Sequence, residues 1–486
     1  MLTKALRSGR WRLFRRLSTA TLDPCSSSSM VVGRSCRLFQ SRSLSSASSS
    51  RSREDVDVVV VGGGMVGSAM ACALSNSPHF EGKRVVLLDA GRPKVYHQPP
   101  EQYALRVSAV NPQSRRLFQE LGVWEDIVKL RANPVRRLQV CESRSSSSIF
   151  FEEEEESAAV AHIVENDAIV SAIAHRLHAD KRVECRYGAK LLDIDLPEDL
   201  ATPATLELDD GCRLAAQLVI GADGFNSPVR QAMSDVHYTS WDCDQKGVVT
   251  MLRLAQEPGE PNSVAYQRFT PTGPIAVLPL TSGLSSLTWA THTEIAEELL
   301  TLDDDTFVDR LNHELWTDGH QDRAVNKLLF AVDSLMNRIL PSEAESLAPF
   351  CPPTVVSLAA KRVAFPLGFG HPSDLIGPRV ALIGDAAHRI HPLAGQGANL
   401  GYADVSLLLE TLERAVQCGA DLGSELHLAN YDTARQRKTT TAASAMDGLN
   451  RLYQLQWTPF VAARALGMNA VNRMGPLKRF IVRQAS

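Results

Sequence analysis

The 486-residue sequence predicts an α/β fold in which a parallel-sheet domain is interleaved with a mixed or antiparallel sheet and followed by C-terminal helices. Three observations predict it. A β-branched run at 56–61 stops at Gly62-Gly63-Gly64-Met65-Val66-Gly67 and continues as small and apolar residues to Asn76, the pattern of a buried strand, a tight turn and a buried helix. A second buried run, 379–383, stops at Gly384-Asp385. Between them, residues 246–292 alternate as antiparallel strands do, most clearly at 263–269, 275–278 and 286–291.

Taken in order, the chain opens on a segment unlike the rest. Arg7, Arg10, Arg12, Arg15, Arg16, Arg34, Arg37 and Arg42 face one acid, Asp23, before residue 54, and serine is abundant. This is the composition of a mitochondrial transit peptide, so residues 1–53 are excluded from the fold, with cleavage expected near 42–50; the alternative is a basic arm that stays attached. Residues 54–235 form the first part of the parallel-sheet domain. There 84–88 reads as the second parallel strand, ending at Asp89 and completing a βαβ unit. Asn111-Pro112 opens a helix that Gly122 closes. The serine run 145–148 and the acidic run 152–156 read as a solvated loop insertion over 143–160. Residues 166–179 read as a helix with Ile169, Ile173 and Leu177 on one face, and strands follow at 183–185, 189–195, 205–208 and 218–221. Residues 236–355 hold the second sheet, the substrate-domain candidate, with a helix at 303–315. Residues 356–415 return to the first domain, and 416–486 are helical in pattern, with no internal repeat.

Composition excludes several classes. Apolar content of 44% and charged content of 22% suit a globular enzyme, and a net charge of −4 gives no field for nucleic acid. The nine cysteines include no Cys-x-x-Cys pair, which leaves buried reduced thiols rather than a zinc ribbon or a disulfide framework. The longest apolar stretch, 58–74, is interrupted by Gly62, Gly63, Gly64 and Gly67 and falls short of a membrane span.

The glycine signatures carry the chemistry. Gly62 permits the turn out of the strand, Gly64 lets backbone approach a pyrophosphate, and Gly67 lets the helix lie close to the strand. The helix N-terminus offers free N–H groups to phosphates, and Asp89 sits where a carboxylate accepts from ribose hydroxyls. This pattern alone does not separate NAD from FAD. The third signature does: Asp385 suits a ribityl hydroxyl of FAD, and Gly395-Gln396-Gly397 opens a helix whose N-terminus suits the charge on a reduced flavin pyrimidine. Its apolar face includes Leu400, Val405 and Leu408. His388 and His391 lack a third ligand and a carboxylate partner in the local sequence, so no metal is expected; structural hydrogen bonding is the reading, with an acid–base role near the flavin as the alternative.

With a middle signature, Gly221-Ala222-Asp223-Gly224-Phe225-Asn226-Ser227-Pro228-Val229-Arg230, the set resembles the aromatic-ring hydroxylases of the para-hydroxybenzoate hydroxylase type. The segment His391-Pro392-Leu393-Ala394-Gly395-Gln396-Gly397-Ala398-Asn399-Leu400-Gly401, with Asp404, resembles their ubiquinone-biosynthesis subfamily. Arg106-Val107-Ser108-Ala109, Ile163-Val164-Glu165-Asn166-Asp167 and Pro476-Leu477-Lys478-Arg479 are similar to its mitochondrial members. The resemblance covers nearly everything after residue 54, apart from 145–148 and 152–156, and Asp89 stands where glutamate is common.

It implies a Rossmann-like FAD-binding domain and an FAD-dependent monooxygenase acting through a flavin 4a-hydroperoxide. The substrate implied is a polyprenylated phenol or benzoate intermediate of ubiquinone (coenzyme Q) biosynthesis, with hydroxylation at ring position five. Oxygen is the co-substrate, and the chemistry is carried by FAD, with no catalytic side chain assigned. The implied cofactor-binding residues are Gly62, Gly64, Gly67, Asp89, Arg106, Asp223, Gly384, Asp385, Pro392, Gly395, Gln396, Gly397 and Asn399. Arg106 would meet the diphosphate or ribityl region, a plain surface arginine being the alternative. Asp223 would serve both FAD and the reductant side, and Arg230 would steady that loop. The single dinucleotide fingerprint leaves the electron source open between NADPH and a ferredoxin with its reductase; the subfamily implies ferredoxin. After Asp447 there is no acid, while Arg451, Arg464, Arg473, Lys478, Arg479 and Arg483 lie among apolar residues. That segment is expected to contact the matrix side of the inner membrane or a coenzyme Q biosynthetic complex. The alternatives are a dehydrogenase or prenyl reductase on the same scaffold and a non-catalytic flavoprotein.

Overall fold

The computed structural model describes residues 53–152, 159–256, 259–317, 321–339, 352–391, 395–474 and 478. Most of the predicted leader, the acidic run from 153 onward, Pro392 and most of the 476–479 tail lie outside them.

Arg53–Val61 is the central strand of an eight-stranded sheet, because its valines bury both faces of the strand. It pairs in parallel with Val85–Asp89 on one side and Arg213–Gly221 on the other. Val183–Tyr187 extends the first flank and Val380–Leu382 the second, both also parallel. Met65–Asn76 packs between Asn166–Asp180 and Gln396–Gln417; its run of Gly67, Ser68, Ala69, Ala71 and Ala73, all buried, keeps the helix slim enough for that sandwich.

The second sheet is mixed. Its strands run in the order Val355–Leu358, Tyr238–Leu254, Leu284–His292, Gly273–Thr281, Val264–Thr270, Arg137–Glu142 and Ser148–Glu152, with Val363–Pro372 also on Tyr238–Leu254. Only Val264–Thr270 with Arg137–Glu142 is parallel among these pairs. Thr293–Thr301 and Asp304–Trp316 cover one face, where Phe307, Leu311 and Leu315 join Val248, Ile275 and Trp289 in a buried cluster. A small sheet of Val107–Val110, Ala161–Glu165 and Ala132–Val135 lies alongside, sharing a core of Val135, Ile163, Met251, Ala265 and Leu280.

Three sequence expectations change. Much of the 143–160 insertion is not a solvated loop: Ser148–Glu152 is an edge strand on Arg137–Glu142, and Ser143, Ser145, Ser147 and Ser148 are buried. Hydroxyls let this happen, since Ser147 donates to the Ala465 carbonyl and the Ser145 hydroxyl accepts from the Ser147 N–H. The C-terminal basic residues do not share one open face, because the Arg464 guanidinium is buried and paired with Glu142 at 2.7 Å. It also donates to the carbonyls of Leu452, Tyr453 and Leu455, fastening Thr458–Arg473 to the second sheet. Finally, Cys418 is exposed, although Cys72, Cys141 and Cys212 are buried thiols as read. No described helix is long and apolar enough to cross a membrane.

Candidate active site

The three signatures leave the first sheet side by side. Val61 is paired with Gly221, and Gly221 with Leu382, so three neighbouring parallel strands end in register. The ladder continues one step beyond, with Ala222 N–H donating to the Val61 carbonyl and Ile383 N–H to the Gly221 carbonyl. Each strand then enters its glycine turn, at the carboxyl end of the sheet where doubly wound folds hold ligands.

Local geometry explains the residue choices. Gly62 has φ +107°, and a Cβ there would sit 2.3 Å from the Ala222 carbonyl oxygen. A Cβ on Gly67 would sit 1.9 Å from the Gly62 oxygen. Gly64, at the N-cap, has open space in its Cβ direction, and the helix has neither a side-chain cap nor an acid in its first turn. The Asp89 carboxylate accepts from Gly63 N–H at 2.5 Å and Gly91 N–H at 2.7 Å, which fixes it beside the turn with lone pairs to spare.

The turns also hold one another. Val66 of the first fills the space a Cβ would need on Gly384 and Gly401 of the third. Arg230 reaches beyond its own loop, donating to the Phe225 carbonyl and, at 2.8 Å, to the Ala386 carbonyl, while lying over the Tyr238 ring. Asp223 accepts from Val229 N–H through Oδ2 at 3.0 Å; its Oδ1 is buried without a partner, and burial raises its carboxyl above the usual range.

Gly384 turns with φ +61°, and Asp385 beyond it is exposed on one side. The protein crowded around Asp385 raises its carboxyl, while His388, Arg389 and Arg106 pull it back, which places the Arg106 charge near this carboxylate. Gly395, exposed with φ +63°, is the N-cap of Gln396–Gln417, again with no side-chain cap and no acid in the first turn; Gly397 has open space in its Cβ direction. Asn399 is engaged by the chain itself: Nδ2 donates to the Ala109 carbonyl at 2.8 Å, and Oδ1 accepts from the Ser114 hydroxyl and Asn111 N–H. It thereby ties the third signature to the Arg106 segment.

The two histidines are both buried and hydrogen-bonded, and His388 has the carboxylate partner that its local sequence lacks. Its Nε2–H donates to Asp404 Oδ2 at 2.7 Å, and His388 and Arg435 hold the Asp404 carboxyl below its usual range against its burial. Sequence reasoning missed Arg435 and Gln245, which come from distant elements. Gln245 donates to the Thr272 carbonyl, so its Oε1 faces His391 Nε2 at 3.1 Å and fixes that nitrogen as the donor. No cluster of metal-ligating side chains occurs among the described residues.

Burial lowers His391 from 6.5 to about 4. Below pH 6.5 the unfolded chain takes up a proton that the folded chain refuses until about 4, so stability present above 6.5 is lost as pH falls, by up to about 3 kcal/mol for this residue. His391→Gln is therefore expected to lose less stability than the unaltered protein between pH 7.5 and 4.5 in urea titrations. Equal losses would contradict it.

The site fits an adenine dinucleotide of the FAD kind: two uncapped helix N-termini at two glycine turns, a cradle that side chains would fill, and the orphaned Asp223 Oδ1. The family described as FAD binding domain matches residues 55–334 and 374–445. Among solved structures, p-nitrophenol 4-monooxygenase PnpA from Pseudomonas putida DLL-E4 matches with a TM-score of 0.64 at 20% identity, covering 89% of this chain and 98% of that one. PqsL from P. aeruginosa, in complex with 2-aminobenzoylacetate, matches with a TM-score of 0.65 at 20% identity over 86% of this chain and 100% of that one. Fold and family match thus define an FAD-binding protein with the fold of these enzymes. Ubiquinone biosynthesis monooxygenase COQ6, mitochondrial, is 43% identical in Mus musculus, over 88% of this chain and 90% of the relative. The Caenorhabditis elegans protein of that name is 44% identical over 88% and 95%. The chain belongs to the COQ6 ubiquinone biosynthesis monooxygenases within this FAD-binding family.

Proposed function

We propose that the chain hydroxylates a polyprenylated phenol or benzoate intermediate of ubiquinone biosynthesis at ring position five, on the matrix side of the mitochondrial inner membrane. The observation that supports this most is the in-register exit of three glycine signatures from adjacent parallel strands, in a chain whose COQ6 relatives carry that pathway in their name. Bound FAD, once reduced, supplies the activation of dioxygen for insertion of one oxygen atom into the ring. The chain's own residues do the rest. The helix opening at Gly64 and Gly67 binds the diphosphate, Asp89 accepts from the ribose hydroxyls, and Asp385 accepts from the ribityl chain. Arg106 balances charge beside Asp385. The helix N-terminus at Gly395-Gln396-Gly397, uncapped and without an acid in its first turn, would hold the negatively charged part of the cofactor. Asn399 acts by holding that helix to the Arg106 segment, and Asp223 serves both FAD and the reductant side. Pro392, in the same signature, is read as a further cofactor-binding residue.

The test is isotope labelling. The polyprenylated precursor that accumulates in cells lacking the protein, supplied with purified enzyme, a ferredoxin and its reductase under ¹⁸O₂, is expected to gain one labelled hydroxyl. Product without label would make the enzyme a dehydrogenase or reductase, and no turnover with reducible FAD would make it a scaffold. Equal rates with NADPH alone would reassign the electron donor.

Trp457 and Phe460 are exposed near the start of the last long helix, and Phe330 is exposed on Arg323–Ile339, which packs against it. These apolar residues, with the basic tail, are the proposed contact with the membrane and the biosynthetic complex. Co-sedimentation with anionic vesicles is expected to fall on Trp457→Ser with Phe460→Ser; unchanged binding would remove this surface from the proposal.

A further inference from the structure

The turn that carries Asp385 is gripped from a helix far along the chain. Asp404, in Gln396–Gln417, has no exposed side-chain surface and lies between two buried partners. Its Oδ2 accepts from Gly384 N–H at 2.8 Å and from His388 at 2.7 Å, on both ends of the turn. Its Oδ1 accepts from Arg435 Nε–H at 2.5 Å, and Arg435 also donates to the Leu400 carbonyl at 2.9 Å. Arg435 belongs to Glu425–Gln454. The same helix touches the segment twice more. Tyr431 donates to the Leu382 carbonyl at 2.7 Å, at the end of the strand that feeds the turn. Asn450 donates to Gln245 Oε1, the group that holds His391.

A buried ion pair is a poor way to gain stability alone, since apolar side chains of similar volume often do as well or better. Its distinctive property here is geometry. One carboxylate fixes a backbone N–H and a histidine ring at the two ends of the 384–388 turn, and a planar guanidinium fixes that carboxylate. The charges also act on Asp385, which His388 steadies and Asp404 opposes.

We infer that Asp404 and Arg435 are positioning residues for the flavin: acting through Gly384 and His388, they set the orientation of the turn that presents Asp385. This rests on the reading that Asp385 faces the ribityl chain. The test measures FAD affinity of the deflavinated protein by fluorescence titration, and its melting temperature without FAD, on the full chain. Asp404→Asn and Arg435→Met each leave a buried group unpaired and are expected to lower both. Asp404→Leu combined with Arg435→Met removes both charges and is expected to regain part of the melting temperature lost in the single variants, the rest staying lost because Gly384 N–H and His388 keep no acceptor. Its FAD affinity is expected to stay about 10–100-fold weak, the scale seen when a group that orients a direct ligand is lost. Recovery of affinity together with stability would overturn the inference. Should the double variant fail to fold, Arg435→Lys decides: it keeps the charge and loses the planar fork, so weakened FAD at near-normal melting temperature supports the inference and unchanged affinity overturns it. Asp385→Ala separates the two levels. If it binds FAD normally, the site reading itself fails; if it binds weakly while the Asp404 and Arg435 variants bind normally, only this inference fails.

Discussion

Gly67→Ala is expected to prevent the first turn from closing and to yield protein without flavin. The added Cβ would lie 1.9 Å from the Gly62 oxygen and 3.0 Å from the Ala222 Cβ. Both belong to the seam between two signatures, where the backbone has no room to move, so the cost is at the upper end of overpacking, about 3 kcal/mol or more. Gly64→Ala is the informative contrast. Its Cβ meets no protein atom within 4 Å, so the variant is expected to melt as the unaltered protein does. It is nevertheless expected to bind FAD poorly, because the space its methyl takes is the approach to the diphosphate. Far-UV melting curves and flavin absorbance of the two purified variants check both halves. If Gly64→Ala keeps its flavin, that glycine serves the turn and not the ligand.

Asp385→Ala has the second large effect. The carboxylate is exposed and holds no other part of the fold through a hydrogen bond among the described residues, so its removal is expected to leave the melting temperature of the deflavinated protein unchanged. A hydrogen bond to a charged group is worth about 1.5–3 kcal/mol, equivalent to roughly 10–150-fold in the FAD dissociation constant. Hydroxylation at fixed FAD falls with occupancy. Asp385→Asn, which still accepts hydrogen bonds, is expected to lie between. A dissociation constant unchanged in both would remove Asp385 from the cofactor site.

What was legible in the sequence follows from what short segments encode. Residues 56–76 contain a strand, a turn and a helix within one local pattern, and the structure places them at Arg53–Val61 and Met65–Asn76. The adjacency of the three signatures needed only that three buried strands be recognised and paired. The second sheet was less legible because its members come from several places. Arg137–Glu142, Ser148–Glu152 and Val363–Pro372 join it from beyond the 236–355 segment. The long strand Tyr238–Leu254 is broken by an irregularity between Asp242 and Gln245, with Asp244 at φ +52°, which spoils the alternation that would reveal it. Serines at 143–148 have the composition of solvated loop, yet side-chain and backbone partners allow them to be buried. Charge misled in the same way at Arg464, whose partner Glu142 lies over 300 residues earlier. The partner of His391 was invisible for the same reason: Gln245 reaches it only after the chain has folded, as Arg435 reaches Asp404 and Asn450 reaches Gln245.

Three strand ends are proposed to form a single nucleotide site. Its most direct test is the flavin content of the purified full chain, read from absorbance near the flavin band against protein concentration, with the released cofactor identified after denaturation. One FAD per chain, absent from Gly67→Ala and reduced in Asp385→Ala, is the expected result. A colourless, folded protein that takes up no added FAD would contradict it.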